Sequence, residues 1–315
     1  MKVLVTGCAG FIGSHICERL LSIGNEVIGI DNFDTFYSKD IKAKNLSHLK
    51  SSHFQFFEIS ILDASELNKI YSPIDAIIHL AANAGVRPSI QNPPQYIDTN
   101  ITGTYNIVSF AKEKGINKIV FASSSSVYGN TAVAPFVEDA NTDAPISPYA
   151  FTKKAGELIL YNFYHLYNIN SVALRFFTVY GPRQRPDLAI NKFVSLILDN
   201  KPIDIYGDGS FGRDYTFIDD TVDGILGALN YLMKNNNVFE VINLGNSKPV
   251  TVVELVAAIE KVLNRKAKIN FEKQQPGDVQ LTCADIAKAE RLLQYKPKTS
   301  LNEGLELFYK WKLSN

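Results

Sequence analysis

The first thirteen residues constrain this chain more than any other stretch. Lys2-Val3-Leu4-Val5 has the pattern of a short buried strand, and it runs into Thr6-Gly7-Cys8-Ala9-Gly10-Phe11-Ile12-Gly13. An apolar helical pattern (Ile16, Leu20, Leu21, Ile23) follows. In a strand–glycine loop–helix arrangement, glycines let the backbone turn tightly and approach a pyrophosphate, and the helix N-terminus offers bare N–H groups to it. A second strand pattern, Glu26 to Ile30, ends in Asp31. An acidic residue roughly twenty positions on is placed to accept hydrogen bonds from the adenosine ribose hydroxyls, whereas a 2′-phosphate would meet a like charge. The expected cofactor is therefore NAD rather than NADP. A tight strand-to-helix turn with no ligand is the competing reading, and the context on both sides of the loop weighs against it.

Strand and helix patterns alternate through the first half. Further strands are expected at Phe54–Glu58, Ala76–His79, Lys118–Ala122 and Ser171–Phe176, with helices at Ile41–Lys50, Ser65–Ile70, Pro94–Glu113 and Tyr149–Tyr167. This alternation predicts an α/β fold with a Rossmann-like doubly wound parallel sheet, covered by helices on both faces. From about Gly181, prolines and glycines punctuate shorter elements, and a strand at Val241–Leu244 is expected to rejoin the sheet. The predicted division is residues 1–177 for dinucleotide binding and 178–315 for a smaller, mostly helical substrate-binding domain. The 315 residues are 46% hydrophobic, enough for a large core, and Lys+Arg and Asp+Glu both number 32. A balanced charge gives no footprint for nucleic acid or an anionic membrane surface. The three cysteines (Cys8, Cys17, Cys283) lack metal-ligand spacing, so no metal is expected. The N-terminus enters a strand directly, without a basic flank and cleavage site, and the expected location is the cytoplasm.

The strand at 118–122 ends in Ser123-Ser124-Ser125-Ser126-Val127-Tyr128-Gly129. In an open parallel sheet, ligands sit outside the carboxyl ends of the strands, so these hydroxyls face the cofactor crevice. Downstream, Pro148 precedes Tyr149 and Lys153. Proline favours a helix start, and Tyr149 and Lys153 then share one helix face a turn apart. A phenol titrates near 10, too high for a base at neutral pH. A neighbouring ammonium and a positive nicotinamide favour the phenolate. Ser124, Tyr149 and Lys153 are the predicted catalytic residues. A Tyr-x-x-x-Lys pair alone is more often an exposed helix turn, and the dinucleotide loop and serine-terminated strand upstream favour catalysis.

With those motifs in place, the whole chain resembles the extended short-chain dehydrogenase/reductase family. Thr6-Gly7 to Gly13, His79-Leu80-Ala81-Ala82, Asn100, the serine run, Tyr149/Lys153 and Arg213-Asp214-Tyr215 follow the family's order and spacing. The resemblance implies that Gly7, Gly10, Phe11, Ile12, Gly13, Asp31, Asn32, Ser60, Ile61, Leu80, Ala81, Ala82, Asn100, Tyr149, Lys153 and Phe176 bind NAD. It also implies a homodimer built on the helices at about 94–113 and 149–167. Ser60 departs from the aspartate usual near the adenine, which weakens one adenine contact.

Within that family, 4,6-dehydratases carry Asp-Glu directly after the Ser/Thr, and decarboxylating relatives carry a glutamate in this segment. This chain has Ser125-Ser126. Uncharged serines do not run the elimination, which leaves oxidation at C4, turning of the 4-keto sugar and reduction from the other face: C4 epimerisation. The chain is most similar to UDP-glucuronate 4-epimerases, through Ala81-Ala82-Asn83-Ala84-Gly85-Val86-Arg87, Pro145 to Lys154, Arg185-Pro186-Asp187 and Gln275-Pro276-Gly277-Asp278-Val279. A glucuronate carboxylate needs a positive or hydroxyl-rich pocket, for which Thr178, Ser125, Ser126 and Arg185 qualify, Arg185 bidentately. Diphosphate contact or a loop salt bridge are open alternatives for Arg185. The resemblance further places Arg213 on the diphosphate, Lys192, Phe193 and Tyr206 near the uridine, Asp278 on the ribose and Arg87 at the substrate. Gly207 to Ser210 and Arg183-Gln184 look more like UDP-glucose-type relatives. UDP-glucose or UDP-N-acetylglucosamine 4-epimerisation, and a nucleotide-sugar oxidoreductase, are the alternatives.

Overall fold

The computed structural model describes residues 1–71, 73–130, 132–273 and 279–314. The strands are β1 (Lys2–Thr6), β2 (Glu26–Asp31), β3 (Phe54–Glu58), β4 (Ala76–His79), β5 (Lys118–Ser124), β6 (Asn170–Phe176), β7 (Thr178–Tyr180), β8 (Pro202–Tyr206), β9 (Gly212–Phe217), β10 (Phe239–Leu244), β11 (Pro249–Thr251) and β12 (Lys268–Glu272). The helices are α1 (Phe11–Ser22), α2 (Lys39–Ser47), α3 (Ala64–Asn68), α4 (Val86–Gln91), α5 (Pro93–Ile97), α6 (Gly103–Glu113), α7 (Pro148–Tyr167), α8 (Ala189–Leu198), α9 (Ile218–Lys234), α10 (Val252–Leu263), α11 (Ala287–Leu293) and α12 (Leu301–Leu313).

Seven parallel strands form one sheet in the order β10-β6-β5-β4-β1-β2-β3. The chain order reverses between β1 and β4, and a crevice opens there at the carboxyl ends of the strands. Period-2 alternation divides the core between the two faces. Val3 and Val5 join Ile16, Leu20 and Val222 on one side, while Leu4 joins Ile77, Ile107, Phe121 and Leu160 on the other. The first of these clusters continues into the C-terminal part through Tyr180, Phe193, Leu255 and Phe308, so no solvent layer separates the two lobes.

The expected continuous helix from Pro94 to Glu113 is interrupted. Between α5 and α6, residues Asp98–Thr102 form a wide turn in which the Gly103 N–H bonds the Asp98 carbonyl, five residues back. Such a bulge re-aims side chains inward, and it buries Asn100. The C-terminal part also contains strands that the sequence reading did not find. A three-stranded sheet (β11-β9-β7) and a two-stranded one (β12-β8) are interleaved with α8, α10 and α12. Among the described residues, no helix is long and apolar enough to cross a membrane.

Candidate active site

Three glycines shape the floor of the crevice. A Cβ on Gly13 would stand 2.0 Å from the Gly7 carbonyl oxygen, and one on Gly7 would stand 2.9 Å from the Ala81 nitrogen. Gly7 also has φ +71°, in the left-handed region. Only glycine lets α1 begin this close to the end of β1, with its first N–H groups bare toward the crevice. The loop therefore fits a pyrophosphate.

The adjoining strand ends are locked by a buried relay. Thr6 Oγ1 accepts the N–H groups of Leu80 (3.1 Å) and Ala81 (3.0 Å), so its own proton goes to His79 Nδ1 at 2.7 Å. His79 Nε2–H then donates to Thr104 Oγ1 at 3.0 Å. Burial and the nearby Lys153 charge push the imidazole down to about 3, so it stays neutral. His79 is thus a structural tie between β1, β4 and α6.

Tyr149 and Lys153 reach the crevice because α7 begins where it does. Ser147 caps it, accepting the Ala150 N–H at 3.1 Å, and Pro148 takes the first helical position. One turn past Lys153, Gly156 allows α7 to lie directly on β5, since a Cβ there would come within 2.4 Å of the Phe121 ring. Lys153 Nζ donates to the Ala122 carbonyl at 2.8 Å and lies 5.9 Å from the Tyr149 ring centroid. Burial lowers the ammonium to about 7. Burial also raises the Tyr149 phenol, opposed by a hydrogen bond with Ser124 and by the Arg185 charge. The sequence reading expected Lys153 to lower the phenol. Burial is the largest influence on both groups, and the charge that opposes it at Tyr149 comes from Arg185.

Ser124 Oγ accepts from the Ser126 N–H (3.2 Å) and the Ser126 hydroxyl (2.8 Å). Behind it, Ser123 donates to Glu157 at 2.6 Å. Glu157 also receives the Arg175 guanidinium at 2.9 Å on both oxygens. This buried pair fixes the end of β5 against α7 and β6.

One cleft of about 1150 Å³ joins these parts. Of the residues predicted for the cofactor, it is lined by Gly7, Gly10, Phe11, Ile12, Gly13, Asp31, Asn32, Ser60, Ile61, Leu80, Ala81, Ala82, Tyr149, Lys153 and Phe176. Of those predicted for substrate, Arg87, Ser125, Ser126, Thr178, Arg185 and Arg213 line it, as does Ser124. Asn100 does not. Its amide is held by the Asn83 backbone (2.8 and 2.9 Å) and by Thr152 (3.0 Å), so it braces the loop after β4 from behind. Lys192, Phe193 and Tyr206 also fall outside the lining: Lys192 is exposed and Phe193 lies in the core. Tyr206 instead carries the Arg87 guanidinium 4.7 Å above its ring. Asp278 and Gln275 lie outside the described residues.

Arg185 forms the loop salt bridge that was one of its open alternatives. Its Nε and Nη2 donate to the two Asp187 oxygens at 3.0 and 2.8 Å. Sequence reasoning missed Phe36, Tyr37, Lys42 and Asp187 as cleft residues. The aromatic pair in a strand–helix loop was a usable signal. Lys42, 3.6 Å from Asp31 in a short polar helix, gave none.

Against known proteins, the family model described as GDP-mannose 4,6 dehydratase matches residues 4–308. The chain belongs to that family. A UDP-glucuronate 4-epimerase of Thermodesulfobacterium geofontis is 43% identical over 316 residues, spanning 99% of this chain and 96% of the relative. Among solved structures, the UDP-glucuronic acid 4-epimerase of Bacillus cereus in complex with UDP-glucuronic acid and NAD superposes with a TM-score of 0.94 at 41% identity, covering 100% of this chain and 99% of that one. The UDP-glucose 4-epimerase of Thermotoga maritima with UDP-glucose gives 0.91 at 32% identity, covering 100% and 99%.

Proposed function

We propose that this NAD-dependent UDP-sugar 4-epimerase, an isomerase, acts on UDP-glucuronate and interconverts it with UDP-galacturonate. The observation that carries the choice of sugar is Arg185. It lines the same cleft as Ser124 and Tyr149, and its fork already holds a carboxylate, that of Asp187. For a uronate to take that bidentate place its carboxylate would exchange with that of Asp187, and Ser125, Ser126 and Thr178 add hydroxyls to the lining of the cleft. Absence of acidic residues at Ser125 and Ser126 argues against dehydration, whatever the family's name.

When bound, NAD would take up hydride from sugar C4 and return it to the opposite face. The glycine loop would hold the pyrophosphate and Asp31 the adenosine ribose. Tyr149 removes the proton from O4 and later restores it, with Ser124 hydrogen-bonded to its phenol. Lys153, anchored on the Ala122 carbonyl one helical turn from Tyr149, would donate to the cofactor's ribose when NAD is bound. Arg213, which also lines the cleft, would hold the diphosphate while the 4-keto sugar turns. No net redox change follows.

The test is proton NMR of the purified protein, with no added NAD, incubated in parallel with UDP-glucuronate, UDP-glucose and UDP-N-acetylglucosamine. The galacturonate anomeric signal alone supports the proposal. Conversion of a neutral sugar instead refutes the choice of substrate and leaves Arg185 to its salt bridge with Asp187. Silence with all three, even after NAD is added, refutes it and reopens the oxidoreductase alternative.

We also propose that α6 and α7 form a homodimer interface, because Tyr105, Leu158, Tyr161 and Leu166 stand exposed on them. Light scattering that gives a monomer at micromolar concentration would overturn this. The three cysteines are unpaired, which suits a reducing compartment, and cytoplasmic action is the accompanying proposal, checked by fractionation.

A further inference from the structure

The loop between β2 and α2 is stitched by consecutive side-chain links. Asp31 accepts the Phe33 N–H (2.8 Å), Asn32 the Asp34 N–H (3.1 Å) and Asp34 the Phe36 N–H (2.9 Å), before Ser38 caps α2. Links of this kind impose tight turns and pre-shape the chain. The loop carries Phe36 and Tyr37, both lining the cleft. The Tyr37 oxygen stands 3.9 Å from where a Cβ on Gly10 would be, so its hydroxyl reaches the glycine loop. Phe36 reaches the other lobe, where the Arg185 guanidinium lies 4.9 Å from its ring centroid. Asp187 holds the edge of the same guanidinium and leaves its face to the ring. The β2–α2 loop and the segment after β7 therefore meet at the cleft through Phe36 and Arg185.

We propose that the Phe36–Arg185 stack is a strap over the dinucleotide site, and that Phe36 and Tyr37 are cofactor-retaining residues. The inference rests on reading the cleft as an NAD site and adds that both lobes hold the cofactor jointly. An epimerase needs such retention, because cofactor lost between the two half-reactions strands a 4-keto sugar. A guanidinium on an aromatic face is attractive and gains strength when shielded from water. The Arg185 side chain is 16% exposed.

The test is the release rate of NADH, read by its fluorescence when preloaded holoenzyme is diluted into excess NAD. Wild type is compared with Phe36→Ala, Phe36→Leu and Phe36→Tyr. Phe36→Ala is expected to release NADH roughly 5- to 30-fold faster, equivalent to about 1–2 kcal/mol. Phe36→Leu, which keeps apolar bulk without a ring face, should move in the same direction, and Phe36→Tyr should stay near wild type. Wild-type release rates in both Phe36→Ala and Phe36→Leu would overturn the strap and leave the NAD site standing. A wild-type protein that binds no NADH would remove the cofactor reading itself, and the strap with it.

Discussion

Gly156→Ala separates the packing of α7 from its stability. The added Cβ would sit 2.4 Å from the Phe121 ring. Carbon–carbon contacts settle near 3.5 Å, so helix and strand must part by about 1 Å. Overpacking of this kind costs about 1–3 kcal/mol, while replacing glycine by alanine inside a helix returns about 1 kcal/mol. The net change in stability is therefore small, about 0–2 kcal/mol. Activity should respond more strongly. The same shift lifts Lys153 from the Ala122 carbonyl and Tyr149 from Ser124, and a misplacement of about 1 Å costs on the order of 100-fold in rate. The assay pairs thermal unfolding with kcat for Gly156→Ala, Phe121→Leu and the double variant. Because the two side chains touch, the double variant should recover part of the lost rate, giving a coupling of about 0.5–3 kcal/mol. A Gly156→Ala enzyme with near wild-type kcat, or strict additivity in the double variant, would refute the argument that this contact sets the position of the catalytic helix.

Tyr149→Phe should lose about 100- to 10,000-fold in kcat while NADH binding, followed by fluorescence, stays intact. A loss of binding in step with rate would instead mark Tyr149 as structural. Glu157→Ala leaves the Arg175 cation buried without its partner and should cost about 3–5 kcal/mol in denaturant unfolding. His79 titrates at about 3 in the fold against an ordinary 6.5, so the unfolded chain takes up its proton first. Its contribution to stability is present above pH 6.5 and is lost as pH falls toward about 3. His79→Gln should flatten that acid limb, and an unchanged slope would contradict the buried neutral imidazole.

The nucleotide-binding half of the fold was legible because its signals are local. Buried parallel strands read as apolar runs, and the glycines at 7 and 13 sit where a Cβ would collide with the backbone. Tyr149 and Lys153 were legible from helical spacing and a proline start. What escaped was tertiary. The strands of the C-terminal part are short, and two of them have three residues each, too few for periodicity to show. The break in the helix after Ile97 lies in a sequence with no proline or glycine until Gly103. Asn100 was read as a ligand residue, and burial shows it bracing the loop beside the site. Lys192, Phe193 and Tyr206 came from the family resemblance, which says nothing of which side of α8 or of β8 faces the cleft in this chain. The charge acting on Tyr149 is that of Arg185, thirty-six positions away in sequence, a proximity no local pattern contains.

The most direct measurement uses UDP-glucuronate carrying deuterium at C4, incubated with the purified protein in ordinary water without added NAD. Hydrogen removed and returned within one closed cleft predicts UDP-galacturonate that keeps its deuterium at C4. Product with the label washed out, or no product while the neutral UDP-sugars turn over, would contradict the account.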